Sequence, residues 1–230
     1  MRTKPDLRVV LKWMIYRSGS VITDVILISM NFADYKQQIA TASNELSLPE
    51  KIATCLSCCR RLAPAYTELV RCEGWGDDSP FSQSRRESLE YLDGQRQSLS
   101  INNSVLEPLI PHTDDFGTVL GSLALNSGIA HCYLISLFAH NTPAEPNGAL
   151  LMCYESTFCC VQHQIDAHCS RSIPLPEIDV HPMMIKEIGW QFDVLQRVRD
   201  NANLSRFAMT ESFDVELEQF LAEAIAPRNG

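Results

Sequence analysis

The sequence predicts an all-α protein, a single-domain bundle of about seven or eight helices joined by short loops. Three observations predict it. Apolar residues recur at three- and four-residue spacing from Met30 to near the C-terminus. Polar caps and prolines stand where those stripes begin. No alternating strand pattern recurs after Met30. With 230 residues, 45% of them hydrophobic, the chain is long enough to bury a sizeable core.

Asn31 reads as an N-cap ahead of a stripe of Phe32, Tyr35, Ile39, Ala42 and Leu46. Ser47-Leu48-Pro49-Glu50 spells a capping box with proline in the first turn. The helix behind it carries Ile52, Cys55, Leu56, Cys59 and Leu62 on one face. Ala63-Pro64 is expected to break or kink it, because proline has no N–H to donate. A short helix through Tyr66, Leu69 and Val70 then ends near Gly74, and 74–80 forms a loop. A polar helix is expected over 81–95, followed by a Ser/Asn-rich link at 98–104 and the segment Val105 to Ile110.

Pro111-His112-Thr113 is read as the start of the longest helix, about 114–140. Gly117 and Gly121 lie one turn apart on it and are expected to mark a close helix–helix approach. The loop 141–148 leads to a helix over 149–169, which 172–176 breaks. A helix over 182–201 turns Met184, Ile188, Phe192, Leu195 and Val198 inward, with Asp193 and Arg197 paired on its outer side. A final helix spans about 212–226. The domain plan is therefore an extension over 1–29, a helical domain over 30–205 and a C-terminal helix with its tail over 206–230.

Composition narrows the function classes. The net charge is −9, which argues against general nucleic-acid binding and against docking on an anionic membrane. Residues 1–29 differ from the rest, with five Lys/Arg and two Asp. Lys12, Arg17 and Asp24 interrupt their apolar stretch, which excludes a spanning helix and a signal peptide. Ser20 to Ser29 could pair as a strand. The nine cysteines are odd in number and scattered, so free thiols in a cytoplasmic protein are expected.

Four patches are familiar as a set. They are Cys58-Cys59-Arg60-Arg61-Leu62-Ala63-Pro64-Ala65-Tyr66; Gly74-Trp75-Gly76-Asp77; Pro111-His112-Thr113-Asp114-Asp115-Phe116; and His181-Pro182 through Glu187, Trp190 and Gln191. In order and spacing they resemble the bacterial domain-of-unknown-function family 416, over roughly Met30 to Asn201. The resemblance implies an all-helical cytoplasmic fold and no particular activity. It also implies a start near Met30, which makes 1–29 a reading-frame extension.

Candidate sites follow from residue chemistry. Asp114 and Asp115 could ligate a metal or act as an acid–base pair. The alternative is that they sit in a first helical turn, where the dipole favours carboxylates. Cys55, Cys58 and Cys59 suggest a redox or zinc half-site, but Cys55 and Cys59 fall on the apolar stripe and core packing is favoured. Cys159 and His163, four apart, could chelate one ion, with Cys160, His168 and Cys169 nearby. The spacing matches no standard metal site, and neither a metal nor a cofactor is expected. His131 lies near the apolar side of its helix, where a satisfied core histidine is the default. Trp75, in a Gly-flanked loop, and Trp190, on a helix with two apolar sides, are the interface candidates; burial is favoured for Trp190.

Two function classes remain, with a third behind them. The first is a non-catalytic interaction or regulatory protein that self-associates or binds a protein partner. The second is an enzyme built from Asp114, Asp115, His131 and His163 across facing helices. The third is a toxin-neutralising protein that masks a basic enzyme by charge complementarity.

Overall fold

The first helix is set by its cap. Asn31 Oδ1 accepts the Asp34 backbone N–H at 2.9 Å, and α1 runs Phe32–Asn44. The capping box forms as read: the Ser47 N–H donates to Glu50 Oε2 at 2.7 Å, opening α2 at Leu48–Glu73. The chain is described by a computed structural model over residues 31–140, 144–168, 178, 180–210 and 215–225; the side chains of 167, 168, 217 and 225 lie outside that set. The remaining helices are α3 at Ser79–Leu92, α4 at Asn103–Leu106, α5 at Val119–His140, α6 at Ala144–His168, α7 at Pro182–Arg199, α8 at Leu204–Thr210 and α9 at Val215–Ile225. A 3-10 turn, Glu107–Leu109, follows α4. Among the described residues there is no strand. The expected extension over 1–29, including its possible strand, lies outside them.

Four expectations are corrected. Helix α2 does not end at Pro64 but continues to a left-handed Gly74 at φ 61°. Pro64 offers no N–H to the carbonyl four residues before it. The helix is held across that position by burial on both sides: Leu62 before it, Ala65, Tyr66 and Leu69 after it. This makes α2, at 26 residues, longer than α5 at 22. Second, α5 starts at Val119 rather than 114, because Thr118 is its cap: Thr118 Oγ1 accepts the Gly121 N–H at 3.0 Å. Third, Gly117 and Gly121 do not mark a helix–helix contact. A Cβ on Gly121 would stand 2.2 Å from the Phe116 carbonyl oxygen, so the glycine lets the preceding turn fold back on the helix. The close helix crossing is elsewhere, where Gly148 of α6 meets the Tyr133 ring of α5. Fourth, α6 begins at Ala144, with Pro146 accommodated in its first turn, and a short α8 precedes the last helix.

The main core lies between α1, α2, α5, α6, α7 and α8, around Ile52, Leu56, Leu134, Leu150, Val194 and Phe207. A second cluster gathers Tyr66, Leu69, Phe81, Leu106 and Ala124 beneath the loops at one end of α2. A third, small cluster seats Leu221 and Ala224 of α9 against Ala65 and Leu123. Helix α5 is long and apolar enough to cross a membrane by length and composition, and more than half of it is buried inside the bundle.

Candidate functional site

Two places gather the chemically distinctive residues, one inside the bundle and one at its surface. The inner one begins with a sequence oddity. Arg61 stands on the buried stripe of α2, one turn from Cys58 and from Ala65, and Glu187 falls between Met184 and Gln191 on the buried side of α7. A charge on an apolar stripe needs a buried partner. Arg61 Nη2 pairs with Glu187 Oε2, and their side chains are 2% and 0% exposed. The carboxylate also accepts the Thr157 hydroxyl at 3.0 Å and the Gln191 side-chain amide at 2.6 Å. Gln191 in turn donates to the Leu150 carbonyl at 2.9 Å and accepts the Tyr35 hydroxyl at 2.6 Å. The guanidinium carbon lies 4.5 Å from the centre of the Trp190 ring.

Burial opposes the charge on Arg61, but Glu187 together with the Cys153 and Cys58 thiols raises its pKa overall, so the guanidinium stays protonated. Burial, with Glu187 second, pushes the Tyr35 phenol well above its ordinary value. This network ties α1, α2, α6 and α7 together and is closed to solvent.

His131 is equally enclosed. Its Nε2 lies 2.9 Å from Arg85 Nη1, which can only donate, so Nε2 accepts and Nδ1–H donates to the Ser127 carbonyl at 2.7 Å. Burial first, then the Arg85 charge, lowers its pKa to about 3. It is a core histidine held neutral.

The other candidates are dispersed. Asp114 and Asp115 occupy an exposed turn before α5, not a first helical turn, so the dipole reading of them does not apply. Asp114 Oδ2 stands 3.3 Å from His112 Nδ1. Cys159 and His163 are partly exposed on α6. Burial, then Glu155, pushes the Cys159 thiol up, which disfavours the thiolate a metal needs. The side chain of His168, and Cys169 altogether, lie outside the described residues. Among the described residues, no group of three or more His, Cys, Asp or Glu could hold a metal. Cys55, Cys58, Cys59, Cys153 and Cys160 are buried free thiols, and burial raises each of them. Trp190 is 6% exposed and belongs to the core, so it offers no free contact surface in the single chain.

The surface place is a corner where two loops meet. Gly76, at φ 83°, lets loop 74–78 turn tightly over α2, and a Cβ there would stand 2.7 Å from the Tyr66 hydroxyl. That hydroxyl donates to the Leu109 carbonyl at 2.6 Å and fixes the neighbouring segment. Half-buried Trp75 thereby meets half-buried Phe116, ring centres 5.2 Å apart. The residues that carried the sequence resemblance thus converge. Arg61, Glu187, Trp190 and Gln191 meet inside, while Tyr66, Gly76, Trp75 and Phe116 build the corner.

A cavity of about 250 Å³ lies between α2, α5 and α9, walled by Arg60, Pro64, Leu123, Glu218 and Leu221. An open polar hollow lies along α1 beside Phe192. None of Asp114, Asp115, His131 or His163 lines either.

Fold and site together define an all-α bundle with a buried polar centre and an aromatic loop corner. A crystal structure of a DUF416 family protein from Shewanella baltica OS155 is similar to it, with a TM-score of 0.57 at 18% identity, over 86% of this chain and 94% of that one. The chain resembles that family in fold over nearly all of the bacterial protein's length. No family model and no curated protein matches the sequence.

Proposed function

We propose that this chain is a non-catalytic interaction or regulatory protein of the cytoplasm, acting through a protein partner or a second copy of itself. The observation that supports this reading is the Trp75–Phe116 corner. Two rings remain partly exposed on loops built to hold them, and aromatic side chains of this kind supply much of the energy of protein interfaces. Two groups with catalytic potential are engaged inside the bundle: His131 with Ser127 and Arg85, Glu187 with Arg61, Thr157 and Gln191.

Native mass spectrometry of protein purified without chelator tests the reading. A dimer or hetero-complex that W75A weakens is the expected result. A stoichiometric metal or small-molecule adduct on a monomer would overturn it in favour of an acid/His enzyme.

A further inference from the structure

The corner also indicates the chemistry of its partner. Around Trp75 and Phe116 lie Val70, Leu109, Ile110 and Leu120, each half-buried over the second core cluster. This apolar surface is pre-built rather than formed on contact. The close approach at Gly121 fixes the backbone of Phe116, and the Tyr66–Leu109 bond fixes the segment beside it. A rigid aromatic surface loses little ordering entropy on binding.

The two loops that carry the rings have one sign. The two loops bring Glu73, Asp77, Asp78, Asp114 and Asp115, and no Lys or Arg occurs in 72–80 or 111–118. The adjacent Arg71 is engaged by Glu68 through two bonds, of 2.8 and 2.5 Å. His112, beside Asp114, is the single histidine on these loops. A second copy that presented the same corner would bring the same acidic loops and be repelled, as would nucleic acid or an anionic membrane. A basic segment would be steered in, and its guanidinium or ammonium groups could settle over the rings.

We propose that the Trp75–Phe116 corner is a docking surface for a basic, Arg/Lys-bearing protein segment that carries an apolar side chain between its charges. The proposal rests on the interaction reading above and names the partner class for it.

The probe is a fluorescein-labelled dodecapeptide of alternating arginine and leucine, titrated by anisotropy against the full chain. Its counterpart has glutamate for arginine. Binding of the arginine peptide should weaken about tenfold or more between 50 and 300 mM salt, a steep dependence expected of charge-steered contacts. The exposed double variant D114N/D115N should weaken it about fivefold or more. W75A should do likewise, and F116L, which keeps the apolar volume, covers the case in which W75A does not fold. E218Q/E223Q, on α9, should leave binding unchanged. Equal losses from both acid pairs, equal binding of the glutamate peptide, or no binding would each overturn the proposal. A native dimer that W75A dissociates would also overturn it, because a second copy would then occupy the corner, while the interaction reading itself would stand.

Discussion

Arg61 and Glu187 show what one buried charge requires of its surroundings. Removing a single partner strands the other in a medium that solvates it poorly. E187M is therefore expected to cost about 3–5 kcal/mol in urea unfolding. The double variant R61M/E187M should cost less than E187M alone, because no unpaired charge remains; a larger loss in the double would show that the pair contributes more than it costs. His131 carries a pH signature. Its folded pKa of about 3 lies well below the ordinary histidine value, so between the two the unfolded chain binds the extra proton. Stability from this residue is complete above pH 6.5 and falls as the pH drops toward 3, by roughly 3–5 kcal/mol in all. Melting temperatures measured from pH 7 to 4 should show that decline in the wild type and a shallower one in H131Q.

At this scale the sequence was only partly legible. A core place for His131 was the default from its position near an apolar stripe, but its neutrality was visible only from the Arg85 contact. The Arg61–Glu187–Gln191–Tyr35 network did not, although both charges stand on buried stripes. The missing information was which distant stripe supplies the partner: Tyr35 and Gln191 are 156 residues apart. The two apolar sides of its helix left Trp190 open to burial or to contact, with burial favoured; the cation beside its ring was not foreseen.

Among the elements, legibility tracked the strength of local signals. The Asn31 cap and the Ser47 box each combine a side-chain acceptor with a following periodic stripe, and both helices begin where those signals place them. At the start of α5, Pro111-His112-Thr113 reads as the opening because a proline two residues before Thr113 and two acids after it mimic a helix start, but Thr118 makes the capping bond. The difference is tertiary, since the turn must double back so that Phe116 can lie over Gly121. Similarly, Pro64 obeyed its local chemistry less than its neighbours, which are buried on both sides of it. The Gly121 contact supplies an element-scale test. G121A would place a methyl against the Phe116 backbone, at a cost of about 1–3 kcal/mol. Because backbone cannot rotate away, the turn should shift, and Trp75 fluorescence should change with it. An unchanged spectrum and an unchanged melting temperature would show that the fold-back is loose.

For the molecule as a whole, the arrangement separates the buried polar centre from the aromatic corner. The polar centre is sealed among α1, α2, α6 and α7, whereas the aromatic rings stand at the far end of α2 on loops. The fold class and the order of the main helices were readable because the periodicity is strong and the loops short. The corner was readable only as a lone Trp75, because Phe116 is brought to it by a fold-back that no local pattern announces.

Helix α5 imposes a condition on synthesis. Its neighbours α2 and α6 lie on opposite sides of it in the sequence, so α2 emerges from the ribosome first and α6 last. Until α6 is complete, a 22-residue apolar segment has half its covering and can be mistaken by the cell for a membrane insert. A chain stopped at His140 should therefore sediment with added lipid vesicles in cell-free translation, while the full chain remains in the supernatant. If both fractionate alike, α2 alone is enough to shelter the nascent helix.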